Sequence, residues 1–394
     1  MSKARCAAAL STRLDLAAAL NEVCQPVRKA LDGPANLALV FLSHDRGAEA
    51  QQIAAAICER LGTQNVFGCT AESLVGTGRK IEGETGISLW AAHLPGLELT
   101  PMHLTFERTP DGGMIGGWQA DDSAWPAGTA LFALGDPFSF PMEQMLEQLN
   151  VDRAGVPVLG GMASGGATPG ENRLILGRQV FDAGAVMFRV SGPLRIRTVL
   201  SQGCRPIGRP FVITRCEGNV IQELGGRPAL LALKEIFDEL PGREKELVQR
   251  ALHLGRVVSE YQERFEPGDF LVRNVLGHDP QSGAIAVGDY FRVGQTVQFH
   301  IRDGRTADDD LTQRLAAFRD EQSQPIGGLL FTCNGRGMRL FGEPHHDASL
   351  VREYLGDIPL AGFFAQGELG PVGGKNFVHG FTASLALFEV EVAK

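Results

Sequence analysis

Two stretches near the end of the chain carry most of the residues that could do chemistry. TCNGRG holds Cys333, Asn334 and Arg336, and AGFFAQGELGPVGGKNFVHGF holds Gln366, Gly367, Glu368 and His379. The planar fork of an arginine takes a carboxylate through two parallel hydrogen bonds. Arg336 is therefore a candidate for gripping a ligand carboxylate, and Glu368 or Glu72 for taking an ammonium group. The competing use of these groups is to fix the loops on which they lie. Cys333 reads in two ways. A neighbouring cation would lower its pKa and make it the nucleophile of a hydrolase or transferase; otherwise it is a small apolar filler. His379 either lines a pocket or hydrogen-bonds a loop carbonyl.

Established catalytic signatures do not fit. GPVGGKN pairs Gly with Lys but lacks the upstream glycine and the following Ser or Thr of a phosphate loop, and it leads into a strand. GGMASGG misses the GxSxG elbow, and no GxGxxG or HExxH occurs. His345, His346 and Asp347 adjoin one another, but adjacent helical residues point apart, and Asp347 suits an N-cap for ASLVREYL. The expectation is no cofactor, no metal site and, on balance, no catalysis.

The elements that must position these residues come in three copies of one unit. Strand LALVFLSHD, helix AEAQQIAAAICERLG and strand VFGCTAES form the first. ALFALGDPF, FPMEQMLEQLN and VLGGMASGG form the second; GLLFTCNGRG, DASLVREYLG and AGFFAQGE form the third. Each returns along another apolar strand: GISLWAAHL, GAVMFRV or TASLALFEV. Apolar residues on one helical face, such as Ile53, Ile57 and Leu61, support the helices. The pattern predicts parallel βαβ units with an antiparallel fourth strand.

The loops after the second strands agree most closely. Three residues after Gly68, Gly160 and Gly362 come Ala71, Ala163 and Ala365; then Glu72, Ser164 and Gln366; then Ser73, Gly165 and Gly367. A polar side chain at the same step of each loop points to a ligand site outside the carboxyl ends of the strands. A polar residue that only caps its turn is the alternative.

Composition bounds the class. The chain has 394 residues, 44% hydrophobic and 21% charged, as expected of a globular protein. A net charge of -9 argues against a phosphate-neutralising surface, so no nucleic-acid partner is expected. Apolar runs such as LALVFL are too short to cross a bilayer. The seven cysteines form no CxxC and indicate a reducing, cytoplasmic setting. The Ala-rich start MSKARCAAALSTRLDLAAALNEVC reads as an amphipathic helix rather than a targeting segment.

VFGCTAESLVGTGRKIEGETGISLWAAHLPG resembles the N-terminal half of the FIST domain of F-box and intracellular signal transduction proteins. LLFTCNGRGMRLFG and GFFAQGELGPVGGKNFVHGFTASLALF resemble its C-terminal half, with SQGCRPIGRPFVITRCEGNVIQELGGRPALLAL at the junction. The resemblance implies a stand-alone, bacterial-type sensory module for a small polar, amino-acid-like ligand. Its output would pass through a downstream signalling protein or a homo-oligomer.

The expected fold class is α/β (α+β): two pseudo-symmetric halves of repeated β-α-β-β units, in a helix–sheet–sheet–helix sandwich. The expected domains are 1–205, an N-terminal FIST domain with two copies, and 206–394, a C-terminal one with the third copy and a sheet-rich insertion. The expected ligand-binding residues are Glu72, Ser73, Ser164, Gly165, Asn334, Arg336, Gln366, Gly367, Glu368 and His379. The remaining alternatives are a Cys333-dependent enzyme and a protein-interaction scaffold.

Overall fold

Three apolar runs, Leu37–Ser43, Ala130–Gly135 and Gly327–Cys333, are buried along almost their whole length. Such runs belong in the interior of a sheet covered on both faces. In the computed structural model, which describes residues 3–110, 112–118, 123–262, 264–322 and 324–390, each opens one of three cassettes. A helix follows (Ala50–Leu61, Met142–Asp152 or His346–Leu355), then a parallel strand, Val66–Ala71, Val158–Met162 or Leu360–Ala365. Ile87–His93, Ala185–Ser191 and Thr382–Val390 return antiparallel on the other side of the opening strand. The class is mixed α/β, as the alternation of elements predicts.

The hairpin after each parallel strand leaves its own sheet. Ser73–Gly76, from the first cassette, pairs with Leu360–Ala365 of the third. Leu174–Leu176, from the second, pairs with Val66–Ala71 of the first. Glu368–Val372, from the third, pairs with Val158–Met162 of the second. The exchange closes on itself. All three sheets consequently share one order: outer strand, return strand, opening strand, parallel strand, borrowed hairpin.

Three sheets, rather than the two of a simple sandwich, turn their inner faces to one core. Phe41 lies 6.3 Å from Phe331 and 5.0 Å from Phe363, and Phe132 stacks between Phe188 and Phe388. Outer faces are covered by helices: Leu16–Leu31 and Ala50–Leu61 on the first, Met142–Asp152 on the second, His346–Leu355 and Gly304–Asp320 on the third. Each strand is therefore apolar on both faces.

The three marker glycines have one structural cause. A Cβ on Gly68, Gly160 or Gly362 would lie 1.9, 1.9 or 1.8 Å from the carbonyl oxygen of Val40, Ala133 or Leu330, its partner on the opening strand. No side chain fits so close to a backbone oxygen.

The N-terminus corrects one expectation. Arg5–Ser11 is a strand, paired antiparallel with Ile87–His93, and the helix begins only at Leu16, capped by Asp15. The helix propensity of alanine yields to an available sheet edge. Ahead of the third cassette, residues 204–302 form a ring of six antiparallel strands: Cys204–Glu217, Thr296–Arg302, Leu252–Val257, Phe270–Asp279, Ala284–Val287 and Val220–Leu224. The last pairs again with the first. Residues 202–310 and 379–381 form one compact unit, and the remainder of the chain forms the other.

Candidate functional site

The three loops converge. The Ser164 hydroxyl accepts from the Glu72 amide at 3.0 Å and donates to the Phe364 carbonyl, so the second loop touches both others. Backbone bonds complete the junction. Gln366 N donates to Met162 O (3.0 Å), Met162 N to Gly367 O (2.8 Å) and Gly165 N to Thr70 O (3.3 Å). Gly165 packs so tightly on Thr70 that a Cβ would sit 2.6 Å from it. The same loop position thus serves two purposes. In the second copy its hydroxyl is committed to backbone, whereas Glu72 and Gln366 are exposed.

Asn334 joins this junction from the end of the opening strand, where its amide donates to Ala365 O at 3.1 Å. Its side-chain Oδ1 is buried with no hydrogen-bond partner. A lone buried carbonyl oxygen carries a desolvation cost that a donor from outside would remove. Cys333 is half-buried beside it, in register with Ala365. Ser73 is buried at the start of the borrowed hairpin, in register with Glu82.

Arg336 is wholly buried, with two of its nitrogens committed to Asp347: Nε to Oδ2 at 3.2 Å and Nη2 to Oδ1 at 3.0 Å. The same carboxylate accepts from the Thr332 hydroxyl (2.7 Å), meets His346 Nδ1 (3.0 Å) and lies 3.7 Å from Lys80 Nζ. Asp347 therefore does not cap its helix, whose N-cap is His345 in the left-handed conformation. Burial alone would raise the Asp347 pKa, but Arg336 and Lys80 overcome that and hold it well below the usual carboxylate range. Lys80 comes from the hairpin lent by the first cassette. Burial lowers its pKa, against the pull of Asp347, and its ammonium lies over Phe364 at 4.9 Å. Sequence patterning missed Lys80, since one lysine in an alternating hairpin looks solvent-facing until the host sheet is known.

Glu368 is also fully buried, its Oε2 accepting from Thr382 N (3.1 Å) and Oγ1 (2.7 Å). In the second cassette Asp136, at the end of its opening strand, accepts from Asn172 Nδ2 (2.9 Å) and from Ser139, and Asn172 Oδ1 accepts from Gly166 N (2.8 Å). Strand-end polar groups of the second and third cassettes thus fasten loops. His379 is buried and belongs to the compact unit formed by 202–310 and 379–381. Among the described residues, no three His, Cys, Asp or Glu side chains form a metal-binding group.

This chain matches the FIST N domain over residues 36–227 and the FIST C domain over 229–371. It belongs to the FIST family. Uncharacterized relatives match it over nearly its whole length. The uncharacterized protein Rv0628c of Mycobacterium tuberculosis is 44% identical over 384 residues, covering 96% of this chain and 98% of that protein. The uncharacterized protein Mb0898c of Mycobacterium bovis is 41% identical over 381 residues, covering 96% and 97%. A shorter match, 31% over 101 residues, joins 24% of the chain to 19% of the F-box/LRR-repeat protein At5g63520 of Arabidopsis thaliana. FIST domains are regarded as small-ligand sensory domains of signalling proteins. Among the described residues of this FIST protein, no helix is long and apolar enough to cross a membrane.

Proposed function

We propose that this FIST protein is a cytoplasmic sensor for a small polar, amino-acid-like metabolite, bound where the three cassette loops meet. The observation that carries the reading is the unpartnered, buried Asn334 Oδ1 beside the loop of the exposed Gln366. It would accept from a ligand ammonium or amide, with Glu72 supplying the opposite charge and Gln366 a second amide. Ser73, Gly165 and Gly367 shape the backbone wall, while Ser164 and Glu368 hold it. Arg336, clamped by Asp347, fixes the turn that presents Asn334. The signal would pass to a downstream protein or to a second copy of the chain.

The test is a thermal-shift screen of the full chain with amino acids, dipeptides and small amines. A ligand that binds the folded state raises Tm with concentration by mass action. The expected result is a rise for a subset of the panel that Asn334→Ala abolishes and Glu72→Gln weakens for ammonium-bearing compounds. A flat panel, or hits indifferent to Asn334→Ala, would refute the assignment.

A further inference from the structure

The outer face of the inserted strand ring holds a second group of buried, unsatisfied polar atoms. His300 and Arg302 lie two residues apart on Thr296–Arg302 and so share one face, while Val297, Phe299 and Ile301 fill the interior of the ring. Arg302 Nε and Nη2 are buried with no partner, and so are His300 Nε2 and Gln202 Oε1. Nε and Nη2 together are the side-on edge of a guanidinium, whose two parallel N–H groups match a carboxylate. Asp310, on the helix that follows, already accepts from Gln202 N at 2.8 Å.

Aromatic and imidazole rings wall these atoms. The Arg302 guanidinium lies 5.0 Å from the Phe381 ring, which meets the edge of His253 at 4.2 Å. Phe270 packs against His300 at 4.9 Å, and its carbonyl accepts from Gln202 Nε2 at 2.9 Å. Phe381 is held at φ 68, a conformation costly for a bulky residue, with its carbonyl bonded to Gly203 N. Such strain persists where the surroundings require the side chain in one place.

The hydrogen-bond polarity of the group defines its ligand. His300 Nδ1 faces the Gln298 carbonyl at 2.9 Å and so carries the proton, leaving Nε2 as an acceptor. Gln202 Oε1 is likewise an acceptor. A cationic edge with two neutral acceptors suits an anion that also bears a neutral donor. An ammonium group would be repelled by Arg302, whereas a hydroxyl would not.

We propose that the inserted ring carries a binding site for a small hydroxycarboxylate, its carboxylate on the Arg302 edge, its hydroxyl donated to Gln202 Oε1 or His300 Nε2, and Phe381 as its wall. This assignment uses different residues from the loop junction and does not rest on it.

Titration calorimetry and thermal shift on the full chain test it, with lactate, propionate and alanine as probes at matched ionic strength. In the Asn334→Ala chain, where the loop junction is disabled, lactate should bind most tightly, propionate more weakly for want of the hydroxyl, and alanine least. Arg302→Gln should weaken lactate about 10-fold or more, and Arg302→Lys, which keeps charge but loses the paired edge, should weaken it nearly as much. Asn334→Ala should leave lactate binding unchanged. No response of the wild-type chain to lactate or propionate at millimolar concentration would overturn the proposal. So would lactate binding that survives Arg302→Gln, or alanine binding as tight as that of lactate that Arg302→Gln abolishes and Asn334→Ala leaves intact. Loss of lactate binding in Asn334→Ala alone would transfer the ligand to the loop junction and refute the ring site.

Discussion

Asp347 gathers Thr332, Arg336, His346 and Lys80 around one buried carboxylate, and the consequences of removing each partner differ. Asp347→Ala leaves two cations buried without their anion, and urea denaturation should show a loss of about 3–5 kcal/mol. Lys80→Met keeps the paired Arg336–Asp347 contact and lays an apolar chain between Phe341 and Phe364. It removes the 2.9 Å bond from Lys80 Nζ to the Arg336 carbonyl and should cost about 1–3 kcal/mol, less than Asp347→Ala. Equal losses for Lys80→Met and Asp347→Ala would disprove this hierarchy. The folded Asp347 pKa is depressed, so its stabilisation is complete above the unfolded carboxylate pKa and disappears as pH falls through the folded one. Lys80 and Arg336 were both visible in the sequence as cations, but their shared partner was not. Lys80 and Asp347 are brought together only when one cassette lends its hairpin to another.

At the scale of elements, three glycines let each parallel strand lie against its opening strand, and the borrowed hairpins complete the sheets. Gly68→Ala, Gly160→Ala and Gly362→Ala should each cost about 3 kcal/mol or more, because the new methyl meets backbone rather than a movable side chain. Gly83→Ala is the control: its φ of 70 faces open space, so only the left-handed strain of about 1 kcal/mol applies. Equal losses in denaturation midpoint would remove the close-approach explanation. Lys80→Glu sets two carboxylates together at the seam between lent hairpin and host. Hydrogen exchange should quicken in residues 73–82 and in Leu360–Ala365 while Val158–Met162 stays protected. The cassettes, their helices and the direction of their strands follow from periodicity and burial. The destination of each hairpin does not, since a short apolar strand pairs equally well with any edge of suitable register.

At the scale of the molecule, acid sensitivity should concentrate in the inserted ring. Burial drives both His253 and His300 down to about 4 from the ordinary 6.5, with bonds to backbone carbonyls opposing it. Between those values the unfolded chain binds the protons that the folded chain refuses, so stability is lost as pH falls through that window. For His300 the full effect is roughly 3 kcal/mol. Calorimetry of wild type and a His253→Asn/His300→Asn variant from pH 7 to 4 should show the slope largely removed in the variant. An unchanged slope would assign the acid sensitivity to other groups.

The sequence by itself determined the repeated cassette, the mixed α/β class, the alternation that buries both strand faces and the loop step at which polar residues recur. Those properties are local: spacing, propensity and burial act over neighbours along the chain. Tertiary structure alone decided that the three hairpins exchange in a closed cycle, that Ser164 and Glu368 are bound into the framework while Glu72 and Gln366 stay exposed, and that Lys80 meets Asp347. It also decided that Arg302 presents an unpaired edge. Each of these depends on which distant segment supplies the partner, a choice made by tertiary packing and not by neighbours along the chain.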